Sequence, residues 1–186
     1  MVPLRTPSIA PSGGATRVDL AERCRRAALS FTNGAEGWTK AELAAWLIGP
    51  YREAARPGST PPPSPSSPPP ATRRVEPAAV DDLLADAHVR VLTVLENVAI
   101  SRTKTTFARR LLQEHAVQRV IDRGQVVGFV PIDAPRMRLA YRVLGLFAAD
   151  ALTRPDDYET LTVCHRCERV RFRCLEETCG CTRSDD

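Results

Sequence analysis

The chain has 186 residues, of which 43% are hydrophobic and only 5% aromatic, and its formal charge is +4. That length holds one domain of ordinary size plus tails, or two small ones. A core so poor in rings must be built from Ala, Leu and Val, which favours helices, and no stretch approaches the ~18 to 20 apolar residues of a membrane span. The basic excess comes from 24 arginines against two lysines, Lys40 and Lys104, a usage that with abundant Ala and Pro points to a high-GC bacterial genome rather than to selection for phosphate binding.

Residues 1–16 contain no apolar run long enough for a secretory h-region, so they read as a disordered tail on a soluble, cytoplasmic protein. A small helical module is expected over 17–56. Asp19 is placed to cap a first helix, whose apolar residues Leu20, Cys24, Ala27, Ala28 and Phe31 recur every three or four positions. Asn33-Gly34 punctuates it. Thr39 and Glu42 then form a capping box, opening a second helix that carries Leu43, Ala44, Trp46, Leu47 and Tyr51. Two helices on a short turn have the outline of a helix-turn-helix, but Lys40, Glu42, Arg52 and Glu53 are too mixed in sign for a recognition surface.

Residues 57–77 include PPPSPSSPPP. Proline removes amide donors and fixes φ, so this linker is expected to be an extended, solvated spacer of polyproline II character. Docking of such a run on an aromatic groove is the alternative reading.

A helical domain with one short strand is expected over 78–157. Val80, Leu84, Ala87, Val91, Val94 and Val98 follow steps of four and three, with Asp82, Asp86, Arg90, Thr93 and Asn97 opposite. Leu83 and Leu95 broaden the stripe and favour packing inside a domain over a coiled-coil dimer. Thr105 to Arg123 reads as a helix ended by Gly124 as a left-handed cap. Gln125 to Ile132 reads as one buried strand without an adjacent partner, which sends it to the C-terminal segment for pairing. Asp133 and Pro135 open a last helix through Leu152, with Met137, Ala140, Leu144, Phe147 and Ala151 on its apolar side, and Thr153-Arg154-Pro155 stops it.

The segment 158–186 carries the chemistry. Five of the six cysteines lie within 18 residues, as Cys164-His165-Arg166-Cys167, Cys174 and Cys179-Gly180-Cys181. A CxxC turn offers two thiolates to one ion and a second close pair completes a tetrahedral shell, the arrangement of a structural Zn²⁺. Disulfides would need an oxidising compartment, and an iron–sulfur cluster is expected on a C-x₂-C-x₂-C run that is missing here. Isolated thiols are the remaining alternative. The expected ligands are Cys164, Cys167, Cys179 and Cys181, with Cys174 as the substitute for one of the CxC pair. His165, inside the knuckle, is aimed away from the ion. Arg169 to Cys174 alternates, so as a strand it buries Val170, Phe172 and Cys174 and exposes its arginines. The segment is similar to a zinc ribbon, although a typical ribbon ends in a second CxxC rather than CxC.

The expected architecture is therefore mainly α (α+β): a helical body whose short strand pairs with a C-terminal zinc-ribbon-like knuckle, plus the N-terminal module. No nucleophile elbow, phosphate-binding glycine loop, HExxH or paired-carboxylate motif is present, and His88 and His115 fall on expected helices where a packed or solvated histidine is the default. A four-cysteine zinc leaves no open position for water. These features favour a non-catalytic interaction or regulatory protein with structural zinc and a protein partner that the sequence does not identify. The alternative is a nucleic-acid-associated zinc protein using Arg166, Arg169, Arg171 and Arg173, with Arg136, Arg138 and Arg142 of the last helix. Against it, Glu159, Glu168, Glu176, Glu177, Asp185 and Asp186 nearly cancel the charge of the tail.

Overall fold

A computed structural model of the chain describes residues 17–55, 77–113, 117–122, 124–134, 137–164 and 166–172. The tail 1–16, almost all of the linker 57–77 and the cysteines beyond residue 172 lie outside them. The chain is mainly helical, with two small antiparallel pairs of strands among the described residues. In chain order these are α1 (Arg17–Thr32), a 3-10 turn (Ala35–Gly37), α2 (Lys40–Trp46), a π turn (Leu47–Tyr51), α3 (Arg52–Ala55), α4 (Pro77–Ile100) and α5 (Lys104–Gln113). Then come β1 (Val117–Asp122), β2 (Gln125–Pro131), α6 (Leu139–Thr153), a 3-10 helix (Pro155–Thr160), β3 (Thr162–Val163) and β4 (Val170–Arg171).

Helix α6 is the centre of the body. Its run Val143–Ala151 is buried without interruption, and it packs against α1, α4, α5 and β2. A helix apolar on every side has to be enclosed on every side. The expected one-sided stripe of this helix is thus corrected. Its start is corrected too: the helix begins at Leu139, with Arg138 as the extended N-cap residue, rather than at Asp133, and Met137 precedes it.

Helix α1 presents the expected face, with Leu20, Cys24, Ala27, Ala28 and Phe31 all buried; Asp19 lies inside its first turn. The Thr39–Glu42 capping box is present, the Glu42 amide donating to Thr39 Oγ1 at 3.4 Å and the Thr39 amide to Glu42 Oε2 at 2.6 Å. The helix that it opens is shorter than its apolar pattern suggests. A π turn carrying Pro50 interrupts it, since proline cannot donate the amide hydrogen bond and its ring crowds the preceding turn. Trp46 still reaches back to α1, its indole N–H lying 3.0 Å from Ala27 O, and tilts against Phe31 at 5.3 Å and Tyr51 at 5.4 Å. Segments 17–55 and 77–172 feed one continuous apolar cluster.

In α4 the residues Leu84, Ala87, Val91 and Val98 are buried, joined by Leu92 and Leu95, while Asp82, Asp86, Arg90, Thr93 and Asn97 are exposed. This stripe packs inside the body, chiefly on α6. Leu83 is the exception at 58% exposed.

The largest correction concerns Gln125–Pro131. This strand pairs with β1, running Val117↔Pro131 to Asp122↔Gln125 with a bulge at Val120/Ile121, and not with the C-terminal segment. Its partner had been expected to continue the helix from Thr105. The helix is described only to Gln113 and residues 117–122 are a strand, because β-branched Val117, Val120 and Ile121 lose side-chain freedom in a helix and suit an extended backbone, with Val117 packed against the core. Gly124 does take the left-handed conformation expected of it, with φ 79°, but at the tip of a hairpin rather than at a helix end. Gly128 in β2 lies so close to α1 that a Cβ there would meet Leu20 Cδ1 at 2.9 Å.

Cys24 is fully buried in this core, and burial, reinforced by the charge of Asp150, pushes its thiol from 9.0 up to about 12. Folding therefore favours the neutral thiol. Its contribution is complete below about pH 9 and is lost as pH rises through 9 towards 12. Urea midpoints at pH 7.5 and pH 10.5 should show a loss that is smaller in Cys24→Ala; an equal loss in both proteins would remove Cys24 as its source.

Candidate metal centre

The Cys164–Cys167 turn caps the β3–β4 hairpin, whose strands pair Thr162↔Arg171 and Val163↔Val170. Two backbone bonds close it: the Cys164 amide donates to Arg169 O at 3.0 Å, and the Glu168 amide donates to Cys164 O at 2.7 Å. Glu168 sits in the left-handed region at φ 54°, which reverses the chain within one residue of Cys167. Both cysteines are half-buried and occupy one tight turn. Soft sulfur donors at this spacing fit Zn²⁺ better than any oxygen-preferring cation.

The hairpin packs on α4 through β3 and is fastened to the body by Asn33 and Phe172. Asn33, just past the end of α1, uses its side-chain amide as a strand edge: Nδ2 donates to Val170 O at 3.0 Å, and Oδ1 accepts from the Val170 amide at 2.8 Å. One residue beyond β4, Phe172 is fully buried, with the Arg25 guanidinium 4.1 Å from its ring centroid and Tyr158 meeting it edge-on at 5.0 Å. Val170 and Phe172 thus fill the buried face that alternation assigned to them.

Beneath Phe172 lies a buried charge network. Asp150, fully enclosed, accepts from Arg25 Nε at 2.7 Å and from Arg154 Nε and Nη2 at 3.0 and 2.8 Å. Tyr158 adds its hydroxyl at 3.2 Å while also donating to Phe147 O at 2.9 Å. Asp157 takes a second Arg25 nitrogen at 2.8 Å, and Glu22 takes Arg154 Nη1 at 2.9 Å. Burial pushes the Asp150 carboxyl upward and the two guanidiniums oppose it. Burial also raises the Tyr158 hydroxyl well above its ordinary value.

Of the expected metal ligands, Cys164 and Cys167 share the turn, while Cys174, Cys179 and Cys181 lie outside the described residues, as does His165. Among the described residues no group of three or more His, Cys, Asp or Glu side chains is assembled for a metal, so a four-coordinate shell needs the distal cysteines. Arg166 and Arg169 are exposed and Arg171 is half-buried; Arg173 and Arg136 lie outside the described residues. Arg138 and Arg142 stand at the opposite end of α6, twelve and eight residues before Asp150, or ~18 and ~12 Å along the axis. Arg142 is engaged with Asp133.

His88 is buried and its Nε2 lies 2.8 Å from Thr32 O; because a carbonyl only accepts, Nε2 carries the proton, and the side chain is a packed structural histidine. His115 lies outside the described residues. From sequence Asn33 read only as a break after the first helix, and Arg25 and Asp150 carried no assigned role. Asp150 did leave a signal, as the lone charge inside the apolar run Val143–Leu152. Among the described residues no helix is long and apolar enough to cross a membrane. No family model, no curated protein and no solved structure matches this chain.

Proposed function

We propose that this chain is a non-catalytic interaction or regulatory protein whose helical body is braced by a structural zinc ion. The ligands would be Cys164, Cys167, Cys179 and Cys181, with Cys174 as the substitute in the CxC pair. A closed thiolate shell supplies a cross-link and leaves no position for substrate water. The observation that carries this reading is the anchoring of the CxxC turn: Asn33 and Phe172 tie the β3–β4 hairpin to α1 and to the network around Asp150. A turn tethered in this way transmits the order imposed by a metal into the body.

The test is metal content followed by chelation. The purified protein should hold about one zinc per chain. A strong chelator should change the near-ultraviolet circular dichroism of Tyr158 and Phe172 while most helical signal persists, since most of the apolar cluster around α6 comes from the helices, with Val170 and Phe172 its contribution from the hairpin segment. Absence of zinc, or unchanged spectra after its removal, would sink the proposal. Binding of nucleic acid is not favoured, because Glu159, Glu168, Glu176, Glu177, Asp185 and Asp186 nearly cancel the charge of the arginines in the C-terminal segment.

A further inference from the structure

At the end of α6 remote from the cysteine turn, the α2–α3 arm, α4 and the residues leading into α6 line an open cleft of about 630 Å³. That volume suits a small ligand. Its wall is aliphatic, from Leu43, Leu47, Leu83, Met137 and Leu139, and Leu83 is 58% exposed, an apolar side chain of α4 that the core leaves uncovered. Single exposed apolar residues are ordinary; their collection in a concave surface is not. Methionine adds a side chain that adapts its shape to a flexible tail.

The charge of the cleft is one-sided. Three arginines, Arg52, Arg138 and Arg142, face one aspartate, Asp133. Asp133 is taken by Arg142, which also donates to Ala134 O at 2.9 Å and lies over the Tyr51 ring at 5.3 Å. Arg52 and Arg138 form no ion pair among the described residues. The chain's own segment 56–76 is a poor occupant by charge, since it carries Arg56, Arg73 and Arg74 against Glu76. An aliphatic wall with two guanidiniums that form no ion pair among the described residues calls for a ligand that is apolar along its length and anionic at one end.

We propose that this cleft binds a free anionic amphiphile, a carboxylate with an aliphatic tail of medium length. Arg52 and Arg138 take the carboxylate through charge-assisted hydrogen bonds, and the leucines and Met137 take the tail. The proposal does not rest on zinc.

Calorimetric titration of the full chain with decanoate, kept below its micellar concentration, tests it. Decanoate should bind saturably at one per chain, about tenfold or more tighter than decanol or decyltrimethylammonium. The double variant Arg52→Glu/Arg138→Glu should lose about tenfold or more of that affinity with unchanged circular dichroism. Leu83→Asp, at an exposed position that folding tolerates, should weaken it through the tail. Absence of saturable decanoate binding, equal affinity for the cationic amphiphile, or unaltered affinity in the double variant would each overturn the proposal. Binding to anionic phospholipid vesicles without binding of decanoate would overturn it in favour of a membrane surface.

Discussion

Asp150→Ala is expected to destabilise the protein by about 3–5 kcal/mol, the cost of stranding a buried charge, out of a total that for a domain of this kind is about 5–15 kcal/mol. The carboxylate binds both Arg25 and Arg154 closely, whereas Asp157 meets Arg25 at 2.8 Å but Arg154 only at 3.7 Å, and Arg25 is itself 1% exposed. Removing it takes from the Arg25 guanidinium its most buried counter-charge, leaving the half-exposed Asp157, and takes one of the two acceptors from Tyr158. Arg154→Ala should cost distinctly less, because its side chain is 19% exposed and its outer nitrogen ends on the half-exposed Glu22. The double change Arg25→Met/Asp150→Leu should recover a large part of the loss, since a buried ion pair replaced by apolar groups of similar size is often nearly neutral. Urea unfolding followed by circular dichroism reads all three. A midpoint for Asp150→Ala within about 1 kcal/mol of the parent would mean that water reaches the network.

Phe172→Ala is expected to cost about 3–5 kcal/mol as a fully buried aromatic truncation, and its second effect separates a brace from an appendage. Phe172 follows β4 directly and holds the cysteine hairpin under Arg25 and against Tyr158. Its loss should therefore release the proposed zinc at a lower chelator concentration than in the parent. Leu146→Ala, equally buried but in the middle of α6, is the control. It removes core stability without touching the hairpin. If the two variants shed metal alike, then retention follows global stability and the hairpin tether has no specific role.

Local patterns were legible wherever a residue's partner lies within a few positions in sequence. The Thr39–Glu42 capping box, the apolar faces of α1 and α4 and the stop at Arg154-Pro155 are all of this kind, because the hydrogen bond or the 3.6-residue period that creates them is written in adjacent letters. Periodicity failed where two structures shared it. Ala108, Leu112, Ala116 and Val120 are spaced for a helix, yet β-branched Val117, Val120 and Ile121 pair with Gln125–Pro131 across Gly124, and that pairing wins over the spacing. In the candidate site, the CxxC spacing was legible because chelation by a tight turn is a local property. Its tether was not. Nothing in the sequence assigns Asn33 to the backbone of Val170 across 137 residues.

The sequence by itself determined that the chain is mainly helical, that α1 and α4 each have one face to bury, and that the C-terminal segment concentrates thiols at metal-binding spacing. Only the tertiary structure decided that the run Val143–Ala151 of α6 is enclosed on all sides, that Asp150 gathers Arg25, Arg154 and Tyr158, and that Asn33 and Phe172 tie the cysteine turn to the body. The physical reason is that periodicity and spacing report interactions along the chain, whereas a buried charge or an amide clamp is stable only when distant segments supply its partners together.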